Sequence, residues 1–133
     1  MTRLCAFAAA LWLLFFPSGA FGVTKITKTI PADATSYLYG MATYDRWSCR
    51  AGATPELGQW SAGYGTISAE TVRQKVGKGK RCAGKTFTFL VIYYTPLPGY
   101  RGKDLVTFSI LAQQDTGRSK QKIWAHRAYV SVK

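Results

Sequence analysis

Lys85-Thr86-Phe87-Thr88-Phe89-Leu90-Val91-Ile92-Tyr93-Tyr94-Thr95 is the strongest run of β-branched and aromatic residues in the chain. Phe87, Phe89, Val91 and Tyr93 alternate along it, the period of an extended strand, and apolar neighbours fill the other positions too. A strand apolar on both faces belongs in the middle of a sheet. The flanking sequence repeats the theme more weakly. Thr24–Ile30 alternates and is stopped by Pro31; Ser36–Tyr44 is rich in Tyr; Thr66–Val76 carries Ile67, Val72 and Val76 among polar residues. Asp104–Ala112 and Ile123–Val132 come later, and in the last run Trp124, His126, Ala128, Val130 and Val132 share one face, opposite Tyr129 and Ser131. Turn chemistry separates the runs, at Arg50-Ala51-Gly52, Gly63-Tyr64-Gly65, Gly77-Lys78-Gly79, Pro96-Leu97-Pro98-Gly99 and Asp115-Thr116-Gly117. No window sustains a 3.6-residue period, so helix is absent or limited to a turn or two, with Ala69-Glu70 the place for one. The pattern predicts one all-β domain, a single antiparallel sandwich with the Lys85–Thr95 strand central.

The segment beyond that strand is the most distinctive part of the chain. Pro96 and Pro98 have no N–H to give a ladder and end the strand, while Gly99 and Gly102 allow a tight corner. Asp104 is placed to accept backbone hydrogen bonds where the chain re-enters a sheet, with Tyr100 packing the corner. The stretch Tyr94-Thr-Pro96-Leu-Pro98-Gly99-Tyr100-Arg-Gly102-Lys-Asp104-Leu-Val-Thr-Phe108 resembles the Y-T-P-x-x-G-[FY]-x-G-x-D-x-[FV]-x-[FY] segment of bacterial immunoglobulin-like and cadherin-like domains. That resemblance implies an immunoglobulin-like sandwich over residues 23–133. Asp115-Thr116-Gly117 would then be the last hairpin turn and Tyr129–Val132 the final strand. It implies no activity, because the architecture carries many unrelated functions. The calcium sites of cadherin-like relatives are not implied either: the six carboxylates are scattered and no Asp-x-Asp occurs.

The N-terminus predicts an exported protein. Arg3 precedes an apolar run of 13 residues, Leu4–Phe16, and Pro17-Ser18-Gly19-Ala20-Phe21-Gly22 ends it. This is the layout of a secretory signal peptide, with a cut after Ala20 or after Gly22. The run falls short of the ~20 residues of a membrane-spanning helix. Removal of residues 1–22 takes Cys5 with it and leaves Cys49 and Cys82, an even pair in an oxidising compartment, which reads as one disulfide. A bridge closing such a loop stabilises by about 3–4 kcal/mol. A metal site is not expected: His126 is the sole histidine and no Cys-x-x-Cys spacing occurs. No cofactor is expected.

The charge balance is strongly basic, with 18 Lys and Arg against six Asp and Glu and a formal charge of +12. Arg73, Lys75, Lys78, Lys80, Arg81 and Lys85 crowd together around Gly77 and Gly79, and no acid lies between Glu70 and Asp104. Such a loop attracts polyanions. In an exported protein these are lipopolysaccharide phosphates, anionic phospholipid and acidic glycans; another envelope protein is the other expected partner, and export argues against nucleic acid. Arg118, Lys120 and Lys122 form a second, smaller cluster. Catalysis is not expected, since the lone His126 has no evident nucleophile and no phosphate loop or nucleophile elbow occurs. Of the tryptophans, Trp47 is expected to pack on the disulfide, Trp60 to be exposed. The expected role is therefore a non-catalytic binding domain of the cell envelope, periplasmic or extracellular. The alternative is a secreted enzyme inhibitor that inserts the Pro96–Gly102 loop.

Overall fold

The computed structural model describes residues 22–113 and 121–133, so the leader segment, the Asp115–Gly117 turn, Arg118 and Lys120 lie outside the described residues. Seven strands run in order: β1 (Thr24–Ile30), β2 (Ser36–Met41), β3 (Glu56–Ala62), β4 (Gly65–Lys75), β5 (Thr86–Pro96), β6 (Gly102–Gln113) and β7 (Gln121–Val132). They form two sheets, a four-stranded one of order β1-β7-β6-β3 and a three-stranded one of order β2-β5-β4. Among the described residues there is no helix, and hence none long and apolar enough to cross a membrane. Of the two sequence expectations, absent helix or a turn near Ala69-Glu70, the first holds: β4 pairs with β5 without a break from Gly65↔Pro96 to Lys75↔Thr86.

Alternation builds the core. Along β6, Asp104, Val106, Phe108, Ile110 and Ala112 are buried while Leu105 is exposed; along β7, His126, Ala128, Val130 and Val132 are buried and Arg127 and Tyr129 exposed. These inner faces meet Leu90, Ile92 and Tyr94 of β5, with Ile30, Leu38 and Ile67 closing the cluster. Each fully buried aliphatic side chain contributes about 1.5–3 kcal/mol from the water it excludes. The β5 residues that face the sandwich interior are thus one position out of phase with the Phe87, Phe89, Val91 and Tyr93 set that sequence alternation emphasised. That set lies on the other face, where Phe87 and Val91 are nevertheless buried. β5 is the central strand of its sheet, as expected.

Two further departures from expectation have clear causes. The sandwich is not wholly antiparallel: β1 runs parallel to β7, from Thr24↔His126 to Ile30↔Val132. Ala32 N–H then donates to Lys133 O at 2.8 Å and Lys133 N–H to Ile30 O at 3.0 Å, which ties the chain leaving β1 to the C-terminus. β3 is an edge strand that sequence did not announce, because Gly58, Gln59 and Ser61 break its apolar pattern. Its register against β6 shifts between Leu57 and Trp60. Gly58 stands there because any Cβ would fall on the Ser109 hydroxyl and the Leu111 side chain.

Candidate anion-binding site

β5 carries a different assembly at each end. Its 11 residues separate the ends by about 30 Å. At the C-terminal end the chain turns a corner into β6. Asp104, 6% exposed, accepts the N–H of Gly63 at 3.0 Å, the N–H of Tyr64 at 2.9 Å and the Tyr94 hydroxyl at 2.7 Å. Burial and the adjacent Asp104 carboxylate push the Tyr94 phenol well above the usual tyrosine range. Gly99, at φ 76°, donates its N–H to Asp33 Oδ1 at 2.7 Å, and Leu97 N–H donates to Tyr64 O at 2.8 Å. Tyr100 stacks on Tyr64 with centroids 4.4 Å apart and donates its hydroxyl to Lys103 O. Pro96 closes β5 as a buried residue and Gly102, at φ 135°, opens β6. The six corner residues read from sequence, Tyr94, Pro96, Gly99, Tyr100, Gly102 and Asp104, all lie at this turn from β5 into β6. This is structural work.

At the N-terminal end of β5 two loops are joined. In the loop after β2, Asp45 Oδ1 accepts the N–H of Trp47 at 2.7 Å and of Ser48 at 3.0 Å, a side-chain turn that delivers Cys49 at φ 55°. In the loop after β4, Val76 N–H donates to Lys85 O, Gly84 N–H to Val76 O and Lys85 N–H to Cys82 O, with Cys82 at φ 61°. The Cys49–Cys82 disulfide closes the pair across 33 residues with the Cα atoms 5.6 Å apart.

That junction gathers charge. Lys78, Lys80, Arg81 and Lys85 lie on the second loop and Arg73 and Lys75 at the end of β4, all exposed. The first loop adds Arg46 and Arg50, also exposed, which sequence reading passes over because 22 residues lie between Arg50 and Arg73. Only the disulfide reveals them as part of the same surface, so the pairing of Cys49 with Cys82 is the signal that could have found them. Trp47 corrects an expectation. It does not pack on the disulfide in a core; it is 81% exposed, and the Arg81 guanidinium lies 4.1 Å over its ring. Trp60 is exposed as expected, and Trp124 is partly buried with Lys122 Nζ 4.5 Å over its ring.

Two hollows flank Tyr44. One, of about 290 Å³, is lined by Tyr37, Tyr44, Phe89, Val91, Lys75 and Lys80 on the outer face of the three-stranded sheet. The other, of about 280 Å³, is lined by Thr43, Arg46, Gln113 and Trp124. Thr43 Oγ1 and Trp124 Nε1 are buried there without a hydrogen-bond partner among the described residues. A hollow of about 370 Å³ on the four-stranded sheet, beside Trp60 and Thr107, holds only Arg127 as a cation.

His126 is an interior residue. It stacks flat on Phe108 at 4.9 Å, touches the Tyr39 ring at 4.5 Å, and its Nδ1 lies 3.0 Å from Trp124 O. Burial lowers its pKa. Among the described residues no group of three or more His, Cys, Asp or Glu is placed to hold a metal.

No protein-family model matches the chain, and no curated protein matches it in sequence. A solved structure, the solution structure of amebosin, aligns with 84% of this chain and 99% of its own at 12% identity and a TM-score of 0.42, too loose a likeness to carry an argument.

Proposed function

We propose that this is an exported, non-catalytic interaction domain of the cell envelope that binds anionic material through its disulfide-tied end. One observation carries the reading. Eight exposed cations, Arg46, Arg50, Arg73, Lys75, Lys78, Lys80, Arg81 and Lys85, sit on two loops and a strand end that the Cys49–Cys82 bridge holds together. Gathering like charges costs stability, and a field of this kind draws in polyanions. Export, with residues 1–22 as a cleaved signal peptide, is part of the proposal. So is the finer fold reading, an immunoglobulin-like sandwich. Supporting it, β2-β5-β4 and β7-β6-β3 have the neighbour relations of the B-E-D and C-F-G strands of that fold. The first strand lies beside β7 here instead of joining the other sheet.

The experiment is a binding titration against lipopolysaccharide and anionic vesicles over a range of salt. Log affinity should fall linearly with log salt, by analogy with other polyanion contacts. Changing Lys78, Lys80 and Arg81 together to Gln should weaken binding and flatten that slope. A triple variant that binds as the parent does would remove these loops as the site. Absence of any binding at low salt would end the reading.

The second reading, an enzyme inhibitor acting through Pro96–Gly102, has the braced corner in its favour. Leu97, Pro98 and Gly99 are exposed on a base fixed by the Asp33 and Tyr64 hydrogen bonds. Under that reading Leu97→Asp abolishes capture of an envelope protein that the triple variant still captures.

A further inference from the structure

The groove beside the basic loop has a floor that simple charge attraction does not require. Its residues are Tyr37, Tyr44, Phe89 and Val91, with Lys75 and Lys80 among its walls. Tyr44 is held in place, its ring stacked 4.4 Å from Phe87 and tilted only 7° from it. Tyr37 is 51% exposed, with Lys28 Nζ 5.3 Å over its ring, and it is therefore an aromatic surface already set in water. Gln74, paired with Phe87 across β4 and β5 and so on the outer face, also lines the groove.

We propose that this groove takes a uronic-acid ring of an acidic glycan, stacked on the tyrosines with its carboxylate toward Lys75 and Lys80. The inference rests on the reading of the disulfide-tied end as anion-binding, and it names the class of anion. Three observations favour this occupant over the other envelope anions. A sugar ring has an apolar C–H face that matches an aromatic floor, and hydroxyls that a Gln amide can both donate to and accept from. A bare phosphate has no such face. Phosphate cradles are commonly built from backbone N–H groups, and here those of Val76, Ala83, Gly84 and Lys85 are donated to carbonyls within the loop, which leaves fewer of them for a phosphate. The volume, about 290 Å³, lies at the small end of ligand sites and suits a single ring. An acyl chain would find cations at the wall instead of a continuous apolar channel.

The intact protein is titrated by calorimetry with tetragalacturonate, the neutral α-1,4-linked tetrasaccharide maltotetraose, oligothymidylate and phosphatidylglycerol vesicles. Tetragalacturonate is expected to bind more tightly than maltotetraose and oligothymidylate. Tyr37→Ala should weaken that binding about three- to tenfold, the scale of one aromatic contact. It should do so without changing the salt slope and without altering vesicle binding. Lys75→Gln with Lys80→Gln should weaken uronate binding and flatten the slope. Gln74→Ala, a change at an exposed position, is the second groove variant should Tyr37→Ala prove unstable, and it should also weaken the uronate alone. Uronate binding that ignores both groove variants overturns the inference. So does maltotetraose or oligothymidylate binding as tightly as the uronate. Vesicle binding with no uronate binding overturns the groove while leaving the proposed function standing; no binding of any of the four at low salt overturns both.

Discussion

The two ends of β5 show two ways of holding a chain in place. At the corner, polar groups are buried and satisfied. Asp104 receives three donors, two from the backbone between β3 and β4 and one from Tyr94, so one carboxylate connects β5, β6 and the β3–β4 turn. At the other end Val76 and Phe87 are buried beneath the loops, but the loops themselves carry exposed cations, and both cysteines adopt a left-handed backbone that such residues rarely take. The corner is held by interactions made in the folded state; the basic end is held by a covalent bond that restricts the unfolded one. Charged side chains that face water add little packing, so at this end a crosslink works beside the few buried residues.

The comparison breaks first at Asp104. Asp104→Ala leaves the Gly63 and Tyr64 N–H groups without their acceptor and the Tyr94 hydroxyl with only Tyr64 O at 3.3 Å, and the expected loss is about 3 kcal/mol by urea unfolding. A loss below about 1 kcal/mol would mean that water replaces the carboxylate and that the corner is not the keystone. The disulfide should cost a similar amount. Cys49→Ser with Cys82→Ser removes about 3–4 kcal/mol on the chain-entropy account, with the Asp104 corner intact in the folded fraction. Intact mass after alkylation without reductant checks that the parent protein carries no free thiol at these positions.

How much of this the sequence reveals differs between the two ends for the same physical reason. The corner is legible because its residues are close together in the chain and the chemistry of each is evident. Prolines stop a ladder, glycines turn, and a carboxylate stands where the chain re-enters a sheet. Strands β5, β6 and β7 are legible from alternation. β3 is not, because an edge strand beside a register shift can carry Gly58, Gln59 and Ser61 without cost. The phase of β5 is misleading in sequence since both of its faces are apolar, and only the opposite sheet decides which one is interior. The basic end is half legible: its six cations after Glu70 are clustered in the chain, whereas Arg46, Arg50 and Trp47 arrive through a disulfide. The aromatic floor beside it shows in sequence only as the Tyr-rich Ser36–Tyr44 run and the alternating Phe89 and Val91; that these meet in one groove is set by the pairing of β2 with β5.

pH sharpens the contrast. Tyr94 keeps its proton in the folded state above the pH at which it ionises when unfolded, so its contribution is complete below about pH 10 and is lost as the pH rises further. Tyr94→Phe should therefore lower stability by about 1–2 kcal/mol at neutral pH, the worth of its bond to a carboxylate, with the gap closing in alkali. His126 acts in the opposite sense. Its folded pKa is lowered by burial, so the unfolded chain takes up the proton more readily and stability falls as the pH drops below about 6.5. Thermal melts across both ranges read the two effects separately. An alkaline limb unchanged in Tyr94→Phe would assign it to another tyrosine.

The smallest effect is expected at Trp47, and its smallness is the test. A tryptophan packed on a disulfide in a sandwich core would cost about 3–5 kcal/mol when truncated to Ala. The structure instead leaves Trp47 81% exposed, with Arg81 4.1 Å over the ring and Asp45 fixing the turn through backbone contacts that do not involve the indole. An exposed cation–π pair is worth only about 0.5–1 kcal/mol. Trp47→Ala should therefore shift the unfolding free energy by no more than about 1 kcal/mol, and Arg81→Gln by no more than the same. Fluorescence supplies an independent readout. Iodide, drawn by the surrounding cations, should quench Trp47 more strongly than a neutral quencher does, and the difference should shrink at high salt and in Arg81→Gln. A loss near the core value, together with emission shielded from both quenchers, would return Trp47 to the interior and leave the basic end without its exposed aromatic.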